Sequence, residues 1–219
     1  MVLCPCALNL PTLEFESVVH IGSSDIRPVP SRVTNSQEGC LLSVSVHPDV
    51  WRRIARLGGG AWTKLSFPYP LRFVDLPESL ETNRDEILAA GFAGDLITEA
   101  TFWKSFHTDE EGEEGHFLHA TKEEADAEDG VRDPERAQVF LSTETLSCFW
   151  CGSPKKISPF FTLSALVAFL VKDDPAIHGV WWNDFFDPCS LSAPRGGIFQ
   201  DRIPLLTQEI TDRGSKVRA

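Results

Sequence analysis

The residues best suited to chemistry lie late in the chain, in Gly179-Val180-Trp181-Trp182-Asn183-Asp184, which runs on through Leu191-Ser192-Ala193-Pro194-Arg195-Gly196-Gly197-Ile198-Phe199. An apolar helical stretch leads in and Pro, Gly and turn residues follow. This pattern predicts a late strand that carries Asp184 to its end and then turns back as a second short strand. A carboxylate at a strand end can stand beside a groove. Trp181 and Trp182 beside it would form a flat apolar wall, and one charge against such a wall suits a ring-bearing polar ligand. The same residues also suit a structural role, in which alternate tryptophans bury in a core and Asp184 caps the turn.

A second constellation opens the chain. Leu13-Glu14-Phe15-Glu16 alternates and continues Ser17-Val18-Val19-His20-Ile21-Gly22-Ser23-Ser24, which predicts a strand ending at His20 and running into a small-residue loop. A histidine there can hydrogen-bond a ligand's hydroxyls while the loop backbone comes close; a surface or satisfied core histidine is the plainer alternative. Cys40-Leu41-Leu42-Ser43-Val44-Ser45-Val46 predicts another short strand, with Ser43 and Ser45 on one face and Val44 and Val46 on the other. His47-Pro48-Asp49 then opens a helix, because proline suits the first helical position and an acid suits the positive end of the dipole. Val50, Trp51, Ile54, Ala55 and Leu57 form its apolar stripe, and Gly58-Gly59-Gly60 ends it.

Six cysteines stand at 4, 6, 40, 148, 151 and 189, a distribution unlike a compact secreted disulfide framework. Cys148-Phe149-Trp150-Cys151 and Cys4-Pro5-Cys6 together offer four thiolates, yet one CxxC without a second of matching spacing is a weak zinc signal. Redox chemistry needs such a pair at a helix N-terminus, whereas 139–150 reads as a strand. No metal site is expected. His107, His116 and His119 match no metal-ligand spacing.

Elements that position these residues fit a single domain over 1–219, with 76–136 as an inserted helical and acidic segment. Pro68 and Pro70 interrupt an extended stretch at 61–74 and favour an edge strand. The spacing at 85–106 predicts a helical pair divided near Gly91 and Gly94. Residues 162–172 predict a helix apolar on most sides, capped by Thr162 and lying against a sheet. Net charge is -12, which opposes binding to a phosphate backbone. The stretch 109–135 holds 12 acidic residues against Lys122 and Arg132, so it supplies 10 of those net charges and reads as solvated loop or exposed helix. Its functional alternative is a decoy surface for a basic protein or a nucleic-acid site. No stretch approaches the roughly 20 apolar residues of a membrane helix and the first residues lack a basic secretory start, so a cytoplasmic protein is expected.

Taken in chain order, the His20 strand with Gly-Ser-Ser after it, the Ser43 strand running into an amphipathic helix, and Asp184 after Gly-Val-Trp-Trp-Asn resemble the compact ADP-ribosyltransferases of the diphtheria-toxin-like histidine class. The phage anti-CRISPR ADP-ribosyltransferases belong to that group. The resemblance covers about the first 60 and last 45 residues. It implies an α+β fold with a split, mainly antiparallel sheet, and an NAD cleft between the His20 and Asp184 strands. It implies NAD as substrate, transfer to an unidentified protein or nucleic-acid target, and a role as a phage or bacterial inhibitor or toxin. Asp184 and His20 would be the catalytic pair, with His20, Ser23, Ser43, Trp51 and Trp182 binding NAD. The chain departs from the family in lacking the usual second-motif tyrosine and in offering aspartate where glutamate is commoner. A non-enzymatic acidic module that blocks a partner is the alternative function.

Overall fold

Side-chain alternation along a few short strands sets the architecture, visible in a computed structural model that describes residues 8–21, 26, 41–50, 62–108, 112, 114–128, 130–150, 159–182 and 194–211. Strand β1 (Thr12–Ile21) pairs with β2 (Leu42–Ser45) and with β3 (Trp62–Asp75). Late in the chain, β7 (Gly179–Trp181) pairs with β3 and with β8 (Arg195–Ile198), and β8 pairs with β2. These pairings close a ring in the order β1-β2-β8-β7-β3, and β9 (Thr207–Thr211) adds to β3 outside it. Among the described residues only the β3–β7 pair is parallel; the fold is α+β with mainly antiparallel sheets. The expected α+β class with mainly antiparallel strands is met at this general level.

Closure depends on the length of β3. Its residues 62–66 lie between β1 and β9, whereas 71–74 pair with β1 and 73–75 with β7. Pro68 and Pro70 fall between those two paired stretches, where the β1 ladder jumps from the Ser17–Ser66 pair to Phe15–Leu71. The expected edge position is therefore wrong. Proline lacks the ladder N–H, and here it occupies the bend at which β3 changes neighbours rather than the rim of a sheet.

Two cores follow from the alternation. Val18, Val44, Leu65, Leu71, Phe73, Trp181 and Ile198 pack together inside the ring, joined by Ile203 and Leu206. Val74, Val180 and Trp182 point the other way, into a core that includes Leu163, Leu166 and Val167 of α5 (Pro159–Val171). This helix is buried on nearly every described side, as its apolar sequence predicts. It begins at Pro159, so Thr162 lies within it and is buried rather than capping it; proline at the first position suits that earlier start. Both cores need a close approach of β7 and β8. A Cβ on Gly196 would stand 2.3 Å from Cε3 of Trp181, so only glycine leaves room for the indole across that pair.

Between β3 and α5 the chain forms a second layer. Asp75 ends β3 and caps α1 (Leu76–Thr82) by accepting the Glu78 N–H, and α2 (Arg84–Ala93) follows. The predicted helical spacing over 85–106 is only partly realised. Asp95 turns the chain at φ 50°, and β4 (Ile97–Thr108) runs on as the centre of a three-stranded sheet with β5 (Glu114–His119) and β6 (Glu135–Ser142). Branched and aromatic residues such as Ile97, Thr101, Phe102 and Trp103 gain cross-strand partners there, which outweighs the helical period. Described parts of the acidic stretch are also ordered structure: β5 leads to α3 (Lys122–Asp126), whose Thr121 and Glu124 form a reciprocal capping box. The expected strand over 139–150 is β6 followed by α4 (Glu144–Trp150), with Thr143 ending the ladder through its N–H to Leu96 O at 3.0 Å.

Candidate functional site

His20 is the next-to-last residue of β1, opposite Thr63 on β3, and the Val19–Ser45 pair sets Val44 of β2 on its other side. Its alternation with Val18 turns the ring toward the interior of the strand ring, at one end of it. Nδ1 lies 2.8 Å from the carbonyl oxygen of Ser43. A carbonyl only accepts, so Nδ1 carries the hydrogen and Nε2 of the neutral ring is an acceptor. Burial lowers the pKa of His20 below its ordinary value, and the bond to Ser43 offsets part of that effect. At neutral pH the ring is therefore uncharged, with a fixed tautomer that can receive a hydroxyl hydrogen at Nε2.

Ser43 lies on β2, the strand next to His20. Val44 points into the ring interior, so Ser43 and Ser45 belong to the opposite face of β2. What Ser43 offers His20 is its backbone carbonyl. Ser45 is buried and donates to Pro194 O at 2.8 Å while accepting the His47 N–H at 3.0 Å. It thereby ties the end of β2 to the start of β8.

The two tryptophans do not form one wall. Trp181 is 1% exposed, packed against Phe15 at 4.4 Å and Phe73 at 5.5 Å inside the ring. Trp182 is 3% exposed and belongs to the helix-side core, with the Arg195 guanidinium 5.7 Å from its ring centre. Successive strand residues face opposite ways, which sends one indole into each core and corrects the expectation that Trp181 and Trp182 form a single flat wall. The Trp182 N–H bonds Arg195 O at 2.8 Å and prolongs the β7–β8 pairing by one residue.

Asp184, Ser23 and Trp51 lie outside the described residues. Strand β7, which leads toward Asp184, does not pair with β1; β3 stands between them on one side of the ring and β2 and β8 on the other. Sequence reasoning missed β8 as the strand beside Ser43; its signal was the Gly196-Gly197 pair, needed where backbones approach closely.

Thiol and imidazole groups elsewhere do not converge among the described residues, which contain no cluster of three or more metal-ligating side chains. Cys148 is exposed in the second half of α4, away from the helix N-terminus that would stabilise a thiolate; Cys4, Cys6, Cys40, Cys151 and Cys189 lie outside the described residues. His119 Nε2 lies 2.8 Å from Ser105 Oγ, and His107 stacks on Phe117 at 4.4 Å. Among the described residues no helix is long and apolar enough to cross a membrane. Comparison of the chain with protein-family models, curated proteins and solved structures finds no match.

Proposed function

We propose that the protein is an NAD-dependent ADP-ribosyltransferase of the histidine class, acting on a macromolecular target, with a split transferase-type sheet. The observation that carries this reading is the bond from His20 to Ser43 O, which joins the two motif strands and leaves a neutral Nε2 to accept a ribose hydroxyl. Held in that way, His20 anchors the adenosine-side ribose and removes orientational freedom before the barrier. Breaking the bond between ribose and nicotinamide sends its electron pair to the nicotinamide ring and leaves positive charge on the ribose. Asp184 stabilises that charge, and the acceptor closes the new bond as it gives up its proton. In this reading His20 and Asp184 hold opposite ends of one dinucleotide.

The test is release of nicotinamide from labelled NAD in the presence of macromolecular fractions. His20→Asn keeps a donor toward Ser43 O and removes Nε2, so transfer should fall roughly tenfold to a hundredfold, the range expected for one lost hydrogen bond. Asp184→Ala should lose about a hundredfold or more with folding retained. Parent protein that releases no nicotinamide and labels nothing would end the reading.

A second reading is favoured by the order of the acidic segment. Its capping box and the Lys122–Asp126 pair hold α3 as a preformed surface, which suits a module that blocks a basic partner. Neutralising Glu110, Glu111, Glu113 and Glu114 would abolish such blocking and leave NAD cleavage intact.

A further inference from the structure

His178 stands immediately before β7 and is 8% exposed. Its main chain joins two strands, since its N–H bonds Arg72 O at 2.8 Å and its carbonyl accepts the Phe199 N–H at 3.0 Å. The side chain returns to the same residue of β3: the Arg72 backbone N–H donates to Nδ1 at 3.1 Å. A nitrogen that accepts cannot carry a hydrogen, so this geometry requires the tautomer with its hydrogen on Nε2. Phe67 closes the ring in edge-on at 5.2 Å.

The charged groups around this ring give its cation no support. From the 3-10 helix after β8, Arg202 reaches the segment ahead of His178, with Nε on Ile177 O at 3.2 Å and Nη2 on Lys172 O and Asp174 O at 3.0 and 2.9 Å. It places a second positive charge nearby, and its own partner is Asp201. Asp174 accepts the Ala176 N–H at 2.9 Å, and Lys172 pairs with Asp173. On β3 the Arg72 guanidinium turns to Thr12 and Glu14. None of the carboxylates in these contacts bonds the imidazole.

We propose that His178 is a pH-sensitive latch on the β3–β7 junction, holding the parallel pair through an unprotonated Nδ1 and loosening it when that nitrogen takes a proton. Protonation sets two donors against each other at Arg72 and leaves a backbone N–H without its acceptor. Burial first, and then the Arg202 charge, keep the ring neutral below its ordinary range. The latch sits where β7 starts its short pairing with β3 at Phe73–Gly179, so its release acts on the strand that leads into Asp184.

The experiment uses the full chain, observed by NMR between about pH 8 and pH 5. The ring should carry its hydrogen on Nε2 at the upper end. Protection of the Arg72, Val180 and Trp181 amides should then fall by up to about tenfold per pH unit from near pH 6.5 down to the depressed value of the folded state. Protection factors are compared with those of β4 amides, which serve as the internal control. His178→Asn places a non-titrating oxygen where Nδ1 accepts, so its junction amides should lose that extra pH dependence. A hydrogen found on Nδ1 at pH 8, or junction amides that follow the β4 amides at every pH, overturns the proposal. The same dependence in His178→Asn also overturns it. If that variant does not fold, the tautomer and the amides of the parent protein decide alone.

Discussion

Replacing Gly179 with alanine tests the closest approach in the fold. A Cβ built there would lie 2.0 Å from Gly197 O and 2.9 Å from Gly197 C, against a limit near 3.0 Å that real Cβ contacts essentially never pass. Both atoms are backbone, so no side chain can rotate away, and β7 must move off β8 by at least 1 Å. That shift spoils the ladder holding Gly179 to Ile198 and disturbs Trp181, which packs against Gly196 and Phe73. Overpacking of a buried site destabilises by about 1–3 kcal/mol and more where nothing relaxes, so a loss of roughly 3 kcal/mol or above is expected. Gly112 is the control. It has φ 86° and open space around its missing Cβ, so alanine there meets backbone strain alone, about 1 kcal/mol. Urea unfolding reads both variants, with the midpoint moving and the slope unchanged if only stability is altered. A Gly179→Ala midpoint shift no larger than that of Gly112→Ala would refute the strand spacing on which the argument rests.

Trp182→Ala should destabilise the fold by about 3–5 kcal/mol, as for a large aromatic removed from a core, before any effect on ligand binding can be read; calorimetry of the variant checks this. Thr121→Ala removes the side-chain acceptor of the α3 capping box and should cost about 1 kcal/mol, with amide exchange rising at Glu124 and little change in the strand ring. His20 has a folded pKa below the ordinary 6.5, so its contribution to stability is fully present above that pH and is lost as pH falls from there through the depressed folded value. The stability difference between pH 7.5 and pH 5 should therefore shrink in His20→Asn, and NAD affinity in the parent should weaken over the same interval as Nε2 becomes a donor; denaturant curves and calorimetric titration at the two pH values report each effect.

Local patterns in the chain were enough for β1 ending beside His20, for the alternation of Ser43 and Val44 on β2, for an α5 buried almost all round, and for the late β7–β8 pair. Each depends on neighbours a few residues apart, where period and turn chemistry act directly. The Leu96–Trp103 run misled because its apolar residues satisfy a helical period as well as a strand, and the choice came from β5 and β6 lying on either side of it. Pro68 and Pro70 misled because an unpaired bend inside a central strand looks, in one dimension, like an edge. Only the tertiary structure decided that β3 closes a ring by exchanging β9 for β7 along its length, that Trp181 and Trp182 enter separate cores, and that β8 lies between β2 and β7. Those outcomes are set by which distant strands meet and in what register, and a residue's neighbours along the chain carry no record of the side chain it will face across a sheet.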